Sequence, residues 1–257
     1  MNHGNIVGTI DAAQIAMIAF IGFFIALCFW LRREDRREGY PLEDALTGKL
    51  LPGGGPLSAA APKTFKLPFD RGSVTVPRAA TEGREPVQIA AKRRENFGGA
   101  PYSPEGDVFA AGVGPGSYAN RAPWADQDAH GLPRIVPMGV VPEISVAKAS
   151  TDPRGLPVYG ADGAKAGTVT DLWVDRAEHM VRYLAIDTGS RTVLAPMPMA
   201  VVRKNAVIIS AINAADFANA PFPADAGQIT RYEEERVVAY FGTGYLYANA
   251  DRLEPLV

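Results

Sequence analysis

At 257 residues the chain has room, beyond one apolar segment, for one or two folded domains. Its formal net charge of −2 supplies no global basic field of the kind nucleic acid attracts. One cysteine, Cys28, excludes a disulfide framework and a cysteine-based zinc site, and three scattered histidines (His3, His130, His179) supply a metalloenzyme poorly.

The first predicted element is residues 12–31, AAQIAMIAFIGFFIALCFWL, without a charge and with one amide, Gln14. A helix of that length rises about 30 Å, the thickness of a bilayer's hydrocarbon core. Apolar residues cover its whole circumference, Asp11 is placed to cap the first turn, and Trp30 stands at headgroup level. Cys28 reads as a small apolar packing residue within it. A signal peptide would need a basic front and a small-residue cleavage site, and neither is present. Lys and Arg are absent from residues 1–11, whereas Arg32, Arg33, Arg36 and Arg37 follow the span at once. The positive-inside bias therefore puts residues 1–11 outside, on the periplasmic side, and everything after residue 31 in the cytoplasm.

Residues 32–38 are expected to continue the helix, with Gly39 ending it and Tyr40-Pro41 extending the backbone. Arg32, Arg33 and Arg36, with Tyr40, form a candidate site for an anionic lipid headgroup. From Pro41 to Pro142 the chain is rich in proline and glycine, with short apolar pieces at Thr64–Leu67, Val74–Val76 and Val87–Ala90 that read as strands. This composition fits a chain laid over a partner's surface. Gly112-Val113-Gly114-Pro115-Gly116 lacks the helix and Lys-Ser/Thr that a phosphate loop needs.

The pattern becomes globular near Ile144. Strands are expected at Val158-Tyr159, Ala166–Asp175, Met180–Asp187, Thr192–Ala195, Ala200–Arg203 and Ala206–Ser210, with turns at Asp175–His179, Thr188–Ser190 and Lys204-Asn205. Such spacing suggests a small β-barrel. Asn213 caps a helical turn to Phe217, and Thr230–Phe241 forms a helix closed by Gly242 and Gly244, with Glu233, Glu234 and Glu235 near its N-terminus.

No nucleophile elbow, zincin helix, Walker loop or CxxC pair is present, so no catalytic residue is assigned. Two groups of titratable residues remain. Asp126, Asp128 and His130 alternate, and an extended backbone would put all three on one face, able to bind a cation or pass protons. Asp175, Glu178, His179 and Arg182 gather around one turn; burial of Asp175 would raise its proton affinity and Arg182 would lower it.

The segment Leu31-Arg32-Arg33-Glu34-Asp35-Arg36-Arg37-Glu38-Gly39-Tyr40-Pro41-Leu42 resembles the H subunit of the purple bacterial photosynthetic reaction centre. Further matches follow in order: Pro62-Lys63-Thr64-Phe65, Leu67-Pro68, Gly112–Pro115, Ile135–Met138, Gly155–Val158, Asp171–Asp175, Pro196–Met199, and Glu233–Ala248 with Tyr240 and Tyr247. The resemblance spans essentially the whole chain. It implies one transmembrane helix, an extended cytoplasmic region over residues 32–143 that packs on partner subunits, and a mainly-β PRC-barrel domain over 144–257 with a short C-terminal helix.

The resemblance further implies a subunit of the bacterial inner (chromatophore) membrane that is structural and proton-conducting and is not an enzyme. Such a subunit caps the L and M subunits and supports light-driven electron transfer by conducting protons to the secondary quinone. It binds no cofactor alone; bacteriochlorophyll, bacteriopheophytin, quinones and non-haem iron sit on L and M. A cytochrome subunit, light-harvesting antenna polypeptides and membrane lipids are expected neighbours. By position, Asp128 and His130 fall at the family's surface proton-uptake residues, Asp126 at a nearby glutamate, and Asp175, Glu178 and Arg182 at interior charged residues below the quinone. Two departures stand out: a second uptake histidine is Leu132 here, and a lysine is Arg134, which cannot release its proton. The alternative reading, a membrane-tethered PRC-barrel adaptor or assembly protein, predicts a surface for RNA or a ribosomal protein, yet the charge balance is slightly acidic and no basic-aromatic patch appears.

Overall fold

The computed structural model describes residues 11–40, 42–49, 60–77 and 90–253. The expected periplasmic segment before Asp11 and the extended piece at residues 87–89 lie outside them. The chain divides into two units, residues 1–88 with 95–101, and residues 89–94 with 102–257.

In the first unit, helix α1 (Ala12–Glu34) begins at a capping box: Gln14 donates its backbone N–H to Asp11 Oδ1 at 2.9 Å, and Asp11 donates its own to Gln14 Oε1 at 3.1 Å. Phe20, Phe23, Phe24, Ile25, Phe29 and Trp30 are about half exposed or more, and no residue of the helix is buried. A helix that is apolar all round and buries nothing within its own chain is soluble only in lipid or against another protein, and it is long enough to cross a bilayer. The α-helix stops earlier than expected. A 3₁₀ turn covers Asp35–Arg37, and Gly39 then takes φ +75°, which breaks the helix. Opposite charges pair here: Arg37 grips both carboxylate oxygens of Glu34 at 2.7 Å, and Arg32 meets Asp35 at 3.4 Å. Arg37 also donates to the carbonyls of Ala61 (2.6 Å) and Val76 (3.1 Å), tying the helix end to the antiparallel hairpin β1 (Lys63–Lys66) and β2 (Ser73–Val76).

The second unit holds the core. A short hairpin, β3 (Ala91–Arg93) with β4 (Tyr102–Pro104), stands apart from the main sheet. That sheet comprises β5 (Ile135–Pro137), β6 (Pro157–Tyr159), β7 (Lys165–Asp175), β8 (Met180–Asp187), β9 (Thr192–Pro196), β10 (Val201–Val202) and β11 (Val207–Ile208). Its hydrogen-bonded order is β10-β11-β6-β7-β8-β9, a half-barrel, with β5 pairing the second half of β7. Strands β7 to β11 fall where the sequence places them, because period-2 alternation and turn residues agree there. Val158, Leu172, Val174, Leu184, Ile186 and Val193 are almost wholly inaccessible and form the centre.

Helix α2 (Arg231–Tyr247) packs against this core through Val237, Tyr240 and Phe241. It ends six residues later than expected. Gly242 and Gly244 do not close it; they lie inside it at points of close backbone approach. A Cβ on Gly242 would stand 3.0 Å from the Pro115 carbonyl oxygen, and one on Gly244 would strike the Ala211 carbonyl and Ile212. Gly116 meets buried Thr243 in the same way, so the glycine-rich stretch 112–116 serves as a packing surface for the helix. Beyond α2, Arg252 donates to the carbonyls of Ser210 (2.6 Å), Gly244 (2.8 Å) and Ala211 (3.1 Å).

Candidate functional site

Three segments of the second unit converge on one set of charges. The first is a narrow loop closed by short-range pairing. Arg134 donates its backbone N–H to Asp126 O at 2.8 Å, Gln127 bridges Pro133, and Asp128 donates its own N–H to Leu132 O at 2.9 Å. The chain reverses between Asp128 and Leu132, with Gly131 at φ +80°. The Asp128 carboxylate caps this turn from inside by accepting the backbone N–H groups of His130 (2.8 Å) and Leu132 (3.0 Å). Those bonds, the one from Leu132 first, with the charge of nearby Arg176, hold its carboxyl below the usual range.

The second segment is the turn joining β7 to β8. Asp175, only 3 % exposed, accepts the backbone N–H groups of Ala177 (2.9 Å) and Glu178 (3.1 Å), while His179 takes φ +53° to complete the reversal. The loop and the turn exchange arginines. Arg134 of the loop reaches Asp175 Oδ2 at 2.6 Å, Glu178 Oε1 at 2.9 Å and Asp126 Oδ2 at 3.4 Å. Bonds to Asp175 and then Glu178 raise the proton affinity of that guanidinium, so it remains a fixed cation. Arg176 of the turn reaches back to Asp128 Oδ2 at 3.1 Å and the Pro133 carbonyl at 3.0 Å, and its N–H donates to Arg134 O at 2.9 Å.

The third segment is the start of α2. Glu233 is spent in the capping box with Thr230, and Glu235 pairs with Arg121 at 3.2 Å. Glu234, one helical step from each, accepts a hydrogen bond from the Tyr183 hydroxyl at 3.2 Å. Burial pushes the Glu234 carboxyl up, against the Tyr183 bond and the Arg182 charge; Asp126 adds to the rise and Arg121 opposes it. Burial likewise pushes the Tyr183 hydroxyl well above its ordinary range, reinforced by the Glu234 charge. A bulge lies beside this pair: Trp173 pairs with Tyr183 and Val174 with Val181, so the ladder passes over Arg182, whose charge acts on Glu234.

Asp126, Asp128, Asp175 and Glu178 are thus gathered by two arginines, and Arg182 stands in the field of Glu234. The expected single face of Asp126, Asp128 and His130 does not form. Asp128 turns inward to cap its own loop, Asp126 faces Arg134, and His130 is carried to the exposed tip. Among the described residues, no three His, Cys, Asp or Glu side chains converge as a metal-ligand set. Glu178 is half exposed in this chain by itself. The residues that sequence reasoning missed are Arg176, Tyr183 and Glu234, together with the pairing role of Arg134. Helical spacing separates the three adjacent glutamates, but only the tertiary contact with Tyr183 tells which one is partly withdrawn from solvent. At the other end of the chain, the Arg36 guanidinium lies 5.0 Å from the Tyr40 ring centroid.

Comparison with known families now bears on these features. The model of the photosynthetic reaction centre H-chain N-terminal region matches residues 4–140, more than half of the chain. The chain belongs to the reaction-centre H-chain family. A PRC-barrel domain matches residues 145–215, the stretch that contains β6 to β11 of the half-barrel. The H-chain match covers the apolar helix and the 126–134 loop, and the barrel match covers the β7–β8 turn, so the exchanged arginines link residues of the two matched regions.

Proposed function

We propose that this H chain caps the cytoplasmic face of the reaction-centre L and M subunits and conducts protons from the cytoplasm to their secondary quinone. One observation carries the reading. Four carboxylates from two segments distant in sequence meet at Arg134 and Arg176, with a further carboxyl, Glu234, held at raised proton affinity beside them. A reduced quinone in a dry protein layer must be protonated, and a bare charge does not cross such a layer cheaply, so titratable groups have to line the way. Coupled carboxylates of this kind exchange protons as a group. In this reading the loop that carries Asp128 and His130 takes up protons at the surface, and Asp126, Asp175, Glu178, Arg182 and Glu234 shape the inner part of the path. The pigments, quinones and iron stay on L and M, and this chain performs no catalysis of its own.

The same reading places α1 across the inner membrane once, with its N-terminus periplasmic, because Arg32, Arg33, Arg36 and Arg37 follow the span. Arg32, Arg33, Arg36 and Tyr40 then meet lipid headgroups, and α1 offers its exposed apolar surface to lipid, antenna polypeptides and neighbouring subunits. A cytochrome subunit belongs to the wider complex.

Replacing Asp128 and His130 together by Ala tests the reading in the assembled complex. Proton-coupled second electron transfer, followed after flashes across about pH 6 to 9, slows by about tenfold or more. An unchanged rate over that range puts proton uptake elsewhere. Near-infrared pigment absorbance co-purifying with the chain supports the capping role, and ribosomal RNA in its place favours the adaptor.

A further inference from the structure

The uptake loop is held by its neighbour as much as by itself. Asp128 carries three hydrogen bonds: two from the loop's own N–H groups and one from Arg176. The Arg176 fork also takes the Pro133 carbonyl, so one guanidinium spans both arms of the loop. The side chain of Arg176 is only about a quarter exposed, and that of Asp128 less. A carboxylate so occupied is a poor proton acceptor, whereas the exposed His130 at the tip owes only its backbone N–H to the turn.

Resting on the function proposed above, we infer that Arg176 is a positioning residue for proton uptake: it commits Asp128 to capping the loop and leaves His130 as the group that picks up the proton. The charges around that tip are Asp126 and Asp128 on the loop, Arg134 at its return, and Asp175, Arg176 and Glu178 on the strand end and turn packed against it. Arg134 is engaged with Asp126, Asp175 and Glu178, so Arg176 is the cation that balances Asp128. Without it Asp128 is an uncompensated negative charge at the tip, and the loop loses its cross-tie.

Arg176→Gln and Arg176→Lys, each in the assembled complex with pigment absorbance confirming assembly, separate positioning from simple structural support. Arg176→Gln is expected to slow proton-coupled second electron transfer by about tenfold and to move the alkaline limb of its pH profile to higher pH. It also speeds amide hydrogen exchange across residues 128–132. Arg176→Lys keeps the cation and is expected to return rate and profile to within about twofold of wild type. The inference is overturned if Arg176→Gln leaves both rate and profile at wild type. It is equally overturned if Gln and Lys slow the reaction alike with no movement of the profile, since Arg176 then acts only as a brace. The Asp128, His130 double replacement, run alongside, keeps the two readings distinguishable: if it slows transfer while Arg176→Gln does not, uptake at this loop stands and the role of Arg176 falls.

Discussion

Asp175→Ala perturbs the centre of the arginine exchange. Asp175 accepts two backbone N–H groups of its turn and two donors from Arg134, so its loss removes four hydrogen bonds at once. Arg134 keeps Glu178 and Asp126 and is itself about a quarter exposed, so water replaces part of what it loses. Ala177 and Glu178 lie at the surface, and water reaches their N–H groups too. Hydrogen bonds to a charged acceptor contribute about 1.5–3 kcal/mol each, and with water as a substitute the turn loses about 2–3 kcal/mol against local opening. That loss accelerates amide hydrogen exchange at Ala177 and Glu178 by roughly 30- to 150-fold, at about 1.4 kcal/mol per factor of ten. Asp175→Asn keeps an oxygen for the two turn N–H groups, and most of the protection returns. Exchange in the Ala variant within threefold of wild type would refute the claim that Asp175 holds this turn.

Glu234→Gln tests the half-buried carboxyl. A group whose proton affinity is raised by folding favours the folded state when protonated, and that stability is lost as pH rises from the ordinary carboxylate range through the folded value. The Gln variant is therefore expected to melt higher than wild type above neutrality and level with it in acid; equal melting curves at alkaline pH would remove the burial argument. Gly244→Ala is expected to destabilise α2: the gain in helix propensity, about 1 kcal/mol, is outweighed by a collision with the Ala211 carbonyl and Ile212, where overpacking costs about 1–3 kcal/mol. Thermal unfolding of the purified protein checks the direction. Replacing Arg33 and Arg36 by Ala is expected to reduce the anionic phospholipid retained through purification, which mass spectrometry of extracted lipid measures.

Much of the fold was legible because local signals were redundant. In β8 the limits Met180 and Asp187 follow directly from alternation bounded by turn residues, and Asp11 and Thr230 mark both helix starts. The end of α2 was not legible, because glycine inside a helix and glycine after one look the same until the segment that crosses it is known; here Pro115 and Ala211 supply the reason. In the site, Asp126, Asp128, Asp175 and Glu178 stand out as clustered acids, but their partners do not. Arg134 and Asp175 are separated by more than forty residues, and a single sequence carries no sign that they touch. The spacing of Asp126, Asp128 and His130 misled for a local reason: an aspartate able to cap its own turn breaks the extended run that the alternation presumes.

Arg252 fastens one end of the helix whose other end carries Glu234. Its guanidinium binds one carbonyl of that helix and two of the preceding connection, and losing Arg252 would take a donor from each, leaving Gly244 only the N–H of Ala248. Trimming at this tail, by a protease or by the engineer of a shortened version, would loosen the helix from behind and be felt by the carboxyl more than a dozen residues upstream. The short turn at Ala250–Arg252, far from any titratable cluster in sequence, thus helps set how firmly a half-buried acid is seated.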